Sequence, residues 1–197
     1  EENSKKPFFL FLSYNAPHGP LQATEKYLKR FPNLSNKRKT YAAMVSCVDD
    51  GVGQLLDKLD QLKLAKNTIV FFLSDNGGPE HKNGSDNGPL RGGKSSPYEG
   101  GFRVPFAVQW KGVIPSNKDY NKPISSLDIM ATISDLAGVK KDSKKPLDGV
   151  NLIPFIKNEN KGTPHQAIYL RKYDQGIHTV RSGDYKLHHY KNDQQTM

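Results

Sequence analysis

Thr68-Ile69-Val70-Phe71-Phe72-Leu73-Ser74-Asp75-Asn76-Gly77-Gly78 is the segment on which the fold turns. Its β-branched, aromatic and aliphatic half is short, unbroken and ended abruptly by polar residues and glycine, the profile of a buried strand. N-terminal to it the period changes. Tyr41, Met44, Val45, Val48, Val52, Leu55, Leu56, Leu59 and Leu62 recur three and four apart between Asn36 and about Lys63, one face of an amphipathic helix that Asn36 is suited to cap. Cys47 lies within that helix beside the stripe and reads as a small packed residue. Further upstream, Phe8-Phe9-Leu10-Phe11-Leu12-Ser13-Tyr14, bounded by Pro7 and by Asn15-Ala16-Pro17, predicts another strand buried on both faces. Strand, helix, strand is the order of an α/β domain with a mainly parallel sheet flanked by helices.

Downstream, residues 77–101 hold eight of the 17 glycines and three prolines, too irregular for regular structure. A loop of this length inside a domain is usually functional or disordered. Arg103–Trp110 predicts a strand, Ser125–Leu136 a helix ended by Gly138, and Val150–Ile156 a short helix or turn. After Thr163-Pro164 the pieces Ala167–Arg171, His178–Arg181 and Tyr185–Tyr190 read as strands, the last two joined through the turn Ser182-Gly183-Asp184. The chain is therefore expected to be α/β over residues 1–160 and antiparallel β over 161–197. A sheet this thin leaves open edges, which predicts a piece of a larger protein.

The 197 residues carry 29 Lys and Arg against 20 Asp and Glu, a net charge of +9. The basic residues cluster at Lys26–Arg30, Lys37–Lys39 and Lys140–Lys145, which reads first as solvated surface and second as a mild attraction for polyanions, either nucleic acid or acidic glycans. A nucleic-acid partner is not expected, because no basic recognition helix, aromatic RNA signature or zinc-finger spacing occurs. The longest apolar runs are Phe8–Leu12 and Ile69–Leu73, far short of the ~20 residues that span a bilayer. Cys47 is the single cysteine, so no disulfide framework is possible.

In open α/β sheets, ligands bind at the carboxyl ends of strands. One such end carries Asp75 and Asn76, a carboxylate and an amide oxygen side by side, donors of the kind that Ca2+ and Mg2+ take. Two donors do not complete a shell of about 6–8 oxygens, and Asp-Asn-Gly-Gly is also an ordinary turn. The other end carries His18 between Pro17 and Pro20, a residue suited to proton transfer or to an anion, or simply a surface histidine. Lys94 follows Arg91-Gly92-Gly93, where glycines admit an oxyanion close to backbone N–H groups beside the ammonium. His81 stands in the glycine-rich loop, while His165, His178, His188 and His189 lack metal-binding spacing and read as surface or strand residues.

Taken together, the motifs resemble the type I sulfatases of the alkaline phosphatase superfamily. The stretches that carry the resemblance are Leu12-Ser13-Tyr14-Asn15-Ala16-Pro17-His18-Gly19-Pro20, Tyr41-Ala42-Ala43-Met44-Val45 and Val48-Asp49-Asp50-Gly51-Val52-Gly53. Phe72–Gly78, Asn87-Gly88-Pro89-Leu90-Arg91-Gly92-Gly93-Lys94, Glu99–Phe106, Asp148-Gly149 with Leu152, and Val180–Leu187 extend it over nearly the whole chain. The resemblance implies an alkaline phosphatase-like sandwich whose small antiparallel C-terminal subdomain begins near residue 161. It implies Asp75 and Asn76 as ligands of a catalytic Ca2+ (Mg2+ the lesser alternative), and His18 and Lys94 as catalytic contacts to the sulfate and the leaving oxygen. It leaves His81, Arg91, Tyr98 and Glu99 as candidates for substrate contacts.

The sequence departs from the family in one respect. The formylglycine nucleophile of these enzymes arises from a Cys/Ser-x-Pro/Ala-x-Arg motif, and no such motif occurs here. In the family that motif lies upstream of the matched region, as do the N-terminal metal aspartates, so the expectation is an inactive portion of an active parent. The parent's partners would be a sulfated small molecule or glycan and the rest of its own polypeptide, at an exported location (periplasmic, secreted or lysosomal). Two other readings remain open on the residues: a phosphoesterase of the same superfamily, and a non-catalytic protein that binds sulfated glycans.

Overall fold

The computed structural model describes residues 5–140 and 142–191. The chain divides into two compact units, Glu1–Phe106 and Ala107–Met197.

In the first unit a one-turn helix α1 (Glu25–Leu28) precedes the long helix α2 (Asn36–Gln61). Met44 and Leu59 of the apolar period read from the sequence are buried along α2, as is neighbouring Ala43, while Val45 of that period is 42% exposed. The helix starts differently from the expectation. Ser35 takes the N-cap position without a side-chain hydrogen bond, and Asn36 adopts a left-handed φ of +50°, which asparagine tolerates better than most residues. Cys47 is exposed rather than packed, because it falls outside the covered stripe. Arg30 ties α1 to the middle of α2: its guanidinium donates two 2.8 Å bonds to the two carboxylate oxygens of Asp50 and a 2.7 Å bond to Ser46 Oγ. The two-pronged geometry holds the Asp50 carboxyl below the usual carboxylate range.

The strand expected over residues 8–14 does not form. Residues 7–15 have no regular structure, and Phe9 and Phe11 are 75% and 78% exposed. A strand exists only where its N–H and C=O groups meet a neighbour's, and none of the described residues supplies that ladder here. Only the end of the run is seated. Tyr14 lies against α2 at Gly51, where a Cβ would come within 2.5 Å of the tyrosine hydroxyl.

The strand that decides the fold is present as β1 (Val70–Leu73). The glycine-rich stretch after it contains two one-turn helices, α3 (Glu80–Asn83) and α4 (Glu99–Phe102), and leads into β2 (Phe106–Gln109). β1 and β2 pair as a two-stranded sheet. The residue leaving β1 bonds the residue entering β2 (Ser74 N–H to Pro105 O, 3.1 Å), so this pair runs antiparallel, and no parallel pair occurs among the described residues. The rings of Phe71 and Phe106 meet edge to face at 6.2 Å. Phe72 is 44% exposed, so β1 is covered less completely than its composition predicts.

The second unit is built on α5 (Leu127–Leu136) and the short α6 (Ile153–Ile156). Gly138 ends α5 as expected, at φ +67° with its N–H on Asp135 O. The core centres on Ala131, Thr132, Leu152 and the fully buried Asp128. Thr132 Oγ1 accepts the Leu152 N–H, and the carboxylate of Asp128 accepts the N–H groups of Ser125 and Val150 at 2.7 and 2.9 Å. His165 closes the cluster, its Nε2–H donating to the same carboxylate at 2.8 Å with only 13% of its side chain exposed. The surface position read for His165 is thus corrected: a buried carboxylate demands donors, and His165 is one of them.

Three antiparallel strands complete the unit in the order read from the sequence: β3 (Ile168–Lys172), β4 (Ile177–Ser182) and β5 (Tyr185–Tyr190). Register is set by pairs such as Leu170 with Thr179 and Val180 with Leu187, and Gly183 turns the last hairpin at φ +55°.

Candidate active site

The polar end of β1 and the glycine-rich stretch after it form one backbone-packed knot. Gly77 N–H donates to Gly101 O at 3.0 Å and Gly100 N–H to Arg91 O at 2.8 Å, so α4 is tied both to the strand end and to the segment at Arg91. A Cβ on Gly77 would stand 1.6 Å from Gly100 O, and one on Gly93 would stand 2.4 Å from Gly78 O. These glycines are therefore required by the close approach of backbone to backbone, and not merely by turn geometry.

Within the knot Asp75 and Asn76 keep adjacent side chains, the Asn76 amide donating to Asp75 Oδ1 at 2.9 Å. That bond uses an N–H and one oxygen. The second carboxylate oxygen and the amide oxygen are both hard donors suited to Ca2+ or Mg2+. Among the described residues no group of three or more His, Cys, Asp or Glu side chains is placed to hold a metal. The donor chemistry fits a hard cation, and two such oxygens do not by themselves complete its shell.

Lys94 lies one residue beyond Gly93 in an exposed turn, with Ser96 N–H on Gly93 O and Ser95 at φ +67°. The two segments are joined through Asn87. Its Oδ1 accepts the Gly78 N–H at 2.9 Å, and its Nδ2 donates to Gly78 O at 2.9 Å and Gly92 O at 3.2 Å. Its own N–H donates to Glu80 Oε1 at 2.7 Å. Nothing in residue type or spacing singles out Asn87; its role is visible only once Gly78 and Gly92 are neighbours.

Arg91 stacks on Tyr98, its guanidinium carbon 3.8 Å from the ring centroid. Glu99 opens α4 and pairs with Arg103 at 3.4 Å, while His81 stands exposed on α3. Of the four candidate substrate contacts, the structure thus joins Arg91 with Tyr98. His18 is exposed in its own loop, flanked by the cis bonds Ala16-Pro17 and Gly19-Pro20. Its Nδ1 lies 2.8 Å from Gly19 O, and because a carbonyl only accepts, Nδ1 carries the proton and Nε2 is left for exchange.

Comparison with known proteins converges on one family. Residues 1–139 match the family described as Sulfatase, and residues 93–197 match the C-terminal region described as N-sulphoglucosamine sulphohydrolase, C-terminal. The chain is 38% identical to the sulfatase YdeN of Escherichia coli K12 over 83% of its own length and 29% of that relative. It is 33% identical to the N-acetylgalactosamine-6-sulfatase of Sus scrofa over 95% of its length and 35% of that relative. Among solved structures it superposes on Ps i-CgsB in complex with k-i-k-neocarrahexaose with a TM-score of 0.87 and 40% identity, covering 98% of this chain and 44% of that one. The chain therefore spans about a third of the length of the curated relatives it matches. With the matched region taking in most of the chain, this protein belongs to the sulfatase family.

Proposed function

We propose that the full-length protein is a sulfuric ester hydrolase acting on a sulfated sugar or aryl sulfate, with residues 1–160 forming part of its catalytic domain and residues 161–197 opening its C-terminal subdomain. The observation that carries this reading is the family match over residues 1–139, within which every assigned site residue falls. The neighbour solved with a neocarrahexaose, together with the net charge of +9, favours an anionic glycan as substrate. In this reading Asp75 and Asn76 would supply two oxygens to a Ca2+ ion, which when bound would lend positive charge to the sulfuryl oxygens. The nucleophile is a formylglycine in the part of the polypeptide outside this chain, and the exposed run Phe8–Leu12 is covered by that part. The location is exported.

The chain's own residues do the rest. Charge accumulates on the leaving oxygen as the S–O bond breaks, and the Lys94 ammonium stabilises it as a mobile donor on a glycine-flanked turn. His18, with Nδ1 committed to Gly19 O, delivers or takes a proton through Nε2. Arg91 holds its charge over Tyr98 as a platform for an anionic sugar, with His81 and Glu99 on neighbouring turns. The test is sulfate release by the full-length protein from sulfated oligosaccharides and aryl sulfates, run beside phosphomonoesters, with peptide mass mapping of the region before Glu1. Sulfate release together with a formylglycine peptide is the expected result. Phosphate release without sulfate release, or an upstream region lacking Cys and Ser at a nucleophile motif, would overturn it.

A further inference from the structure

Asn87 has the geometry of a clamp, and we infer that it is a positioning residue: it sets the distance between the metal-ligand end of β1 and the turn that carries Lys94. The inference rests on the roles proposed above for Asp75, Asn76 and Lys94. Its amide grips both polar groups of one peptide residue, accepting from Gly78 N–H and donating to Gly78 O, and spends its second N–H on Gly92 O. Gly78 lies two residues after Asn76, and Gly92 two residues before Lys94. One planar side chain therefore fixes both segments at once.

The surroundings leave no slack for another arrangement. Gly78 O would meet a Cβ on Gly93 at 2.4 Å, and Asn87 Nδ2 would meet the same atom at 3.0 Å. Asn87 is itself held from the other side, its N–H on Glu80 Oε1 at 2.7 Å and its carbonyl accepting from Leu90 N–H at 3.4 Å. The pattern requires one acceptor and two donors on a branched three-atom head, which asparagine supplies on the short stem that fits here. Aspartate has the same shape but offers only acceptors, so it would set an oxygen against Gly78 O and Gly92 O.

The consequence concerns catalysis more than stability. A misplacement of about 1 Å in a reacting group costs on the order of 100-fold in rate, so Asn87→Asp and Asn87→Ala in the full-length protein are expected to lower kcat for sulfate release by about that factor. Because Asn87 acts through Lys94, the losses should not multiply: Asn87→Ala with Lys94→Ala should be no slower than Lys94→Ala alone. A second readout uses metal-free protein. Hydrogen exchange should quicken at least about tenfold at the Gly78 N–H, which loses its acceptor, and together with it at the Ser96 and Gly100 N–H groups, which donate to the carbonyls of Gly93 and Arg91 in the released turn. Multiplying losses in the double variant, a kcat unchanged in the single variants, or faster exchange confined to residues 85–90 would each overturn the positioning role. If Lys94→Ala itself leaves sulfate release intact, the sulfatase assignment of Lys94 has failed, and the exchange experiment still decides whether Asn87 is the clamp.

Discussion

Replacing Asp128 with asparagine changes one atom at the centre of the second unit, and the structure sets its cost. The residue is fully buried, and its two oxygens accept Ser125 N–H, Val150 N–H and His165 Nε2–H. Asparagine keeps the volume and one acceptor but places an NH2 group against one of the two backbone N–H groups. An orphaned buried donor costs about 1–3 kcal/mol, towards the upper end where the lost acceptor is a carboxylate oxygen. The expected loss is therefore about 2–3 kcal/mol, which shifts a urea midpoint by about 1 M at an ordinary denaturant slope. Unfolding is followed by circular dichroism and by the fluorescence of Trp110, the single tryptophan of the chain. Asp128→Ala should lose more, because both backbone donors are orphaned, and His165→Gln less, because the backbone bonds survive. An unfolding free energy for Asp128→Asn within about 0.5 kcal/mol of the parent, the range of ordinary surface changes, would refute the reasoning.

Gly77→Ala should destabilise the first unit by about 2 kcal/mol or more, since its Cβ would lie 1.6 Å from Gly100 O and backbone has to move. Gly53→Ala, in the middle of α2 with nothing within 4 Å of the added atom, should stabilise by about 0.5–1 kcal/mol; thermal unfolding compares the two signs. In the full-length protein Lys94→Ala should lower kcat for sulfate release by about 10^2–10^3 while leaving folding intact, as for loss of an oxyanion donor. His18→Ala should do likewise, most severely for substrates with poor leaving groups, read as a steeper dependence of kcat on leaving-group pKa. Asp75→Ala should abolish tight Ca2+ binding in titration calorimetry, and an unchanged affinity would remove Asp75 from the ligand set. Asp50 carries a pH dependence. Its carboxyl is held below 3.8 by the hydrogen bonds from Arg30, so its stabilisation is present above that pH and is lost as pH falls through the lowered value. Asp50→Asn should lower stability above pH 3.8, where the Arg30 bonds to the carboxylate are intact, and flatten the acid limb below it, because no carboxyl remains to titrate.

The residue pattern alone decides what depends on neighbours along the chain. The apolar period over residues 36–63, the Gly138 stop and the hairpin at Gly183 are local consequences of side-chain spacing and backbone freedom, and each appears where it was read. The frames Asp75-Asn76-Gly77-Gly78, Pro17-His18 and Gly93-Lys94 are visible in the sequence, because glycine or proline beside a polar residue marks a turn without knowledge of the fold, while the roles proposed for these residues rest on the family match. Tertiary structure decided what depends on distant partners. Phe8–Leu12 has the composition of a core strand yet stands exposed, since a strand is made by its neighbour and not by its own side chains. Asp128, His165 and Asn87 read as ordinary polar residues, and only the folding together of segments up to 37 residues apart gives each its donors and acceptors. Burial turns such residues from surface decoration into fixed points, because a polar group taken out of water must find its partner inside the protein.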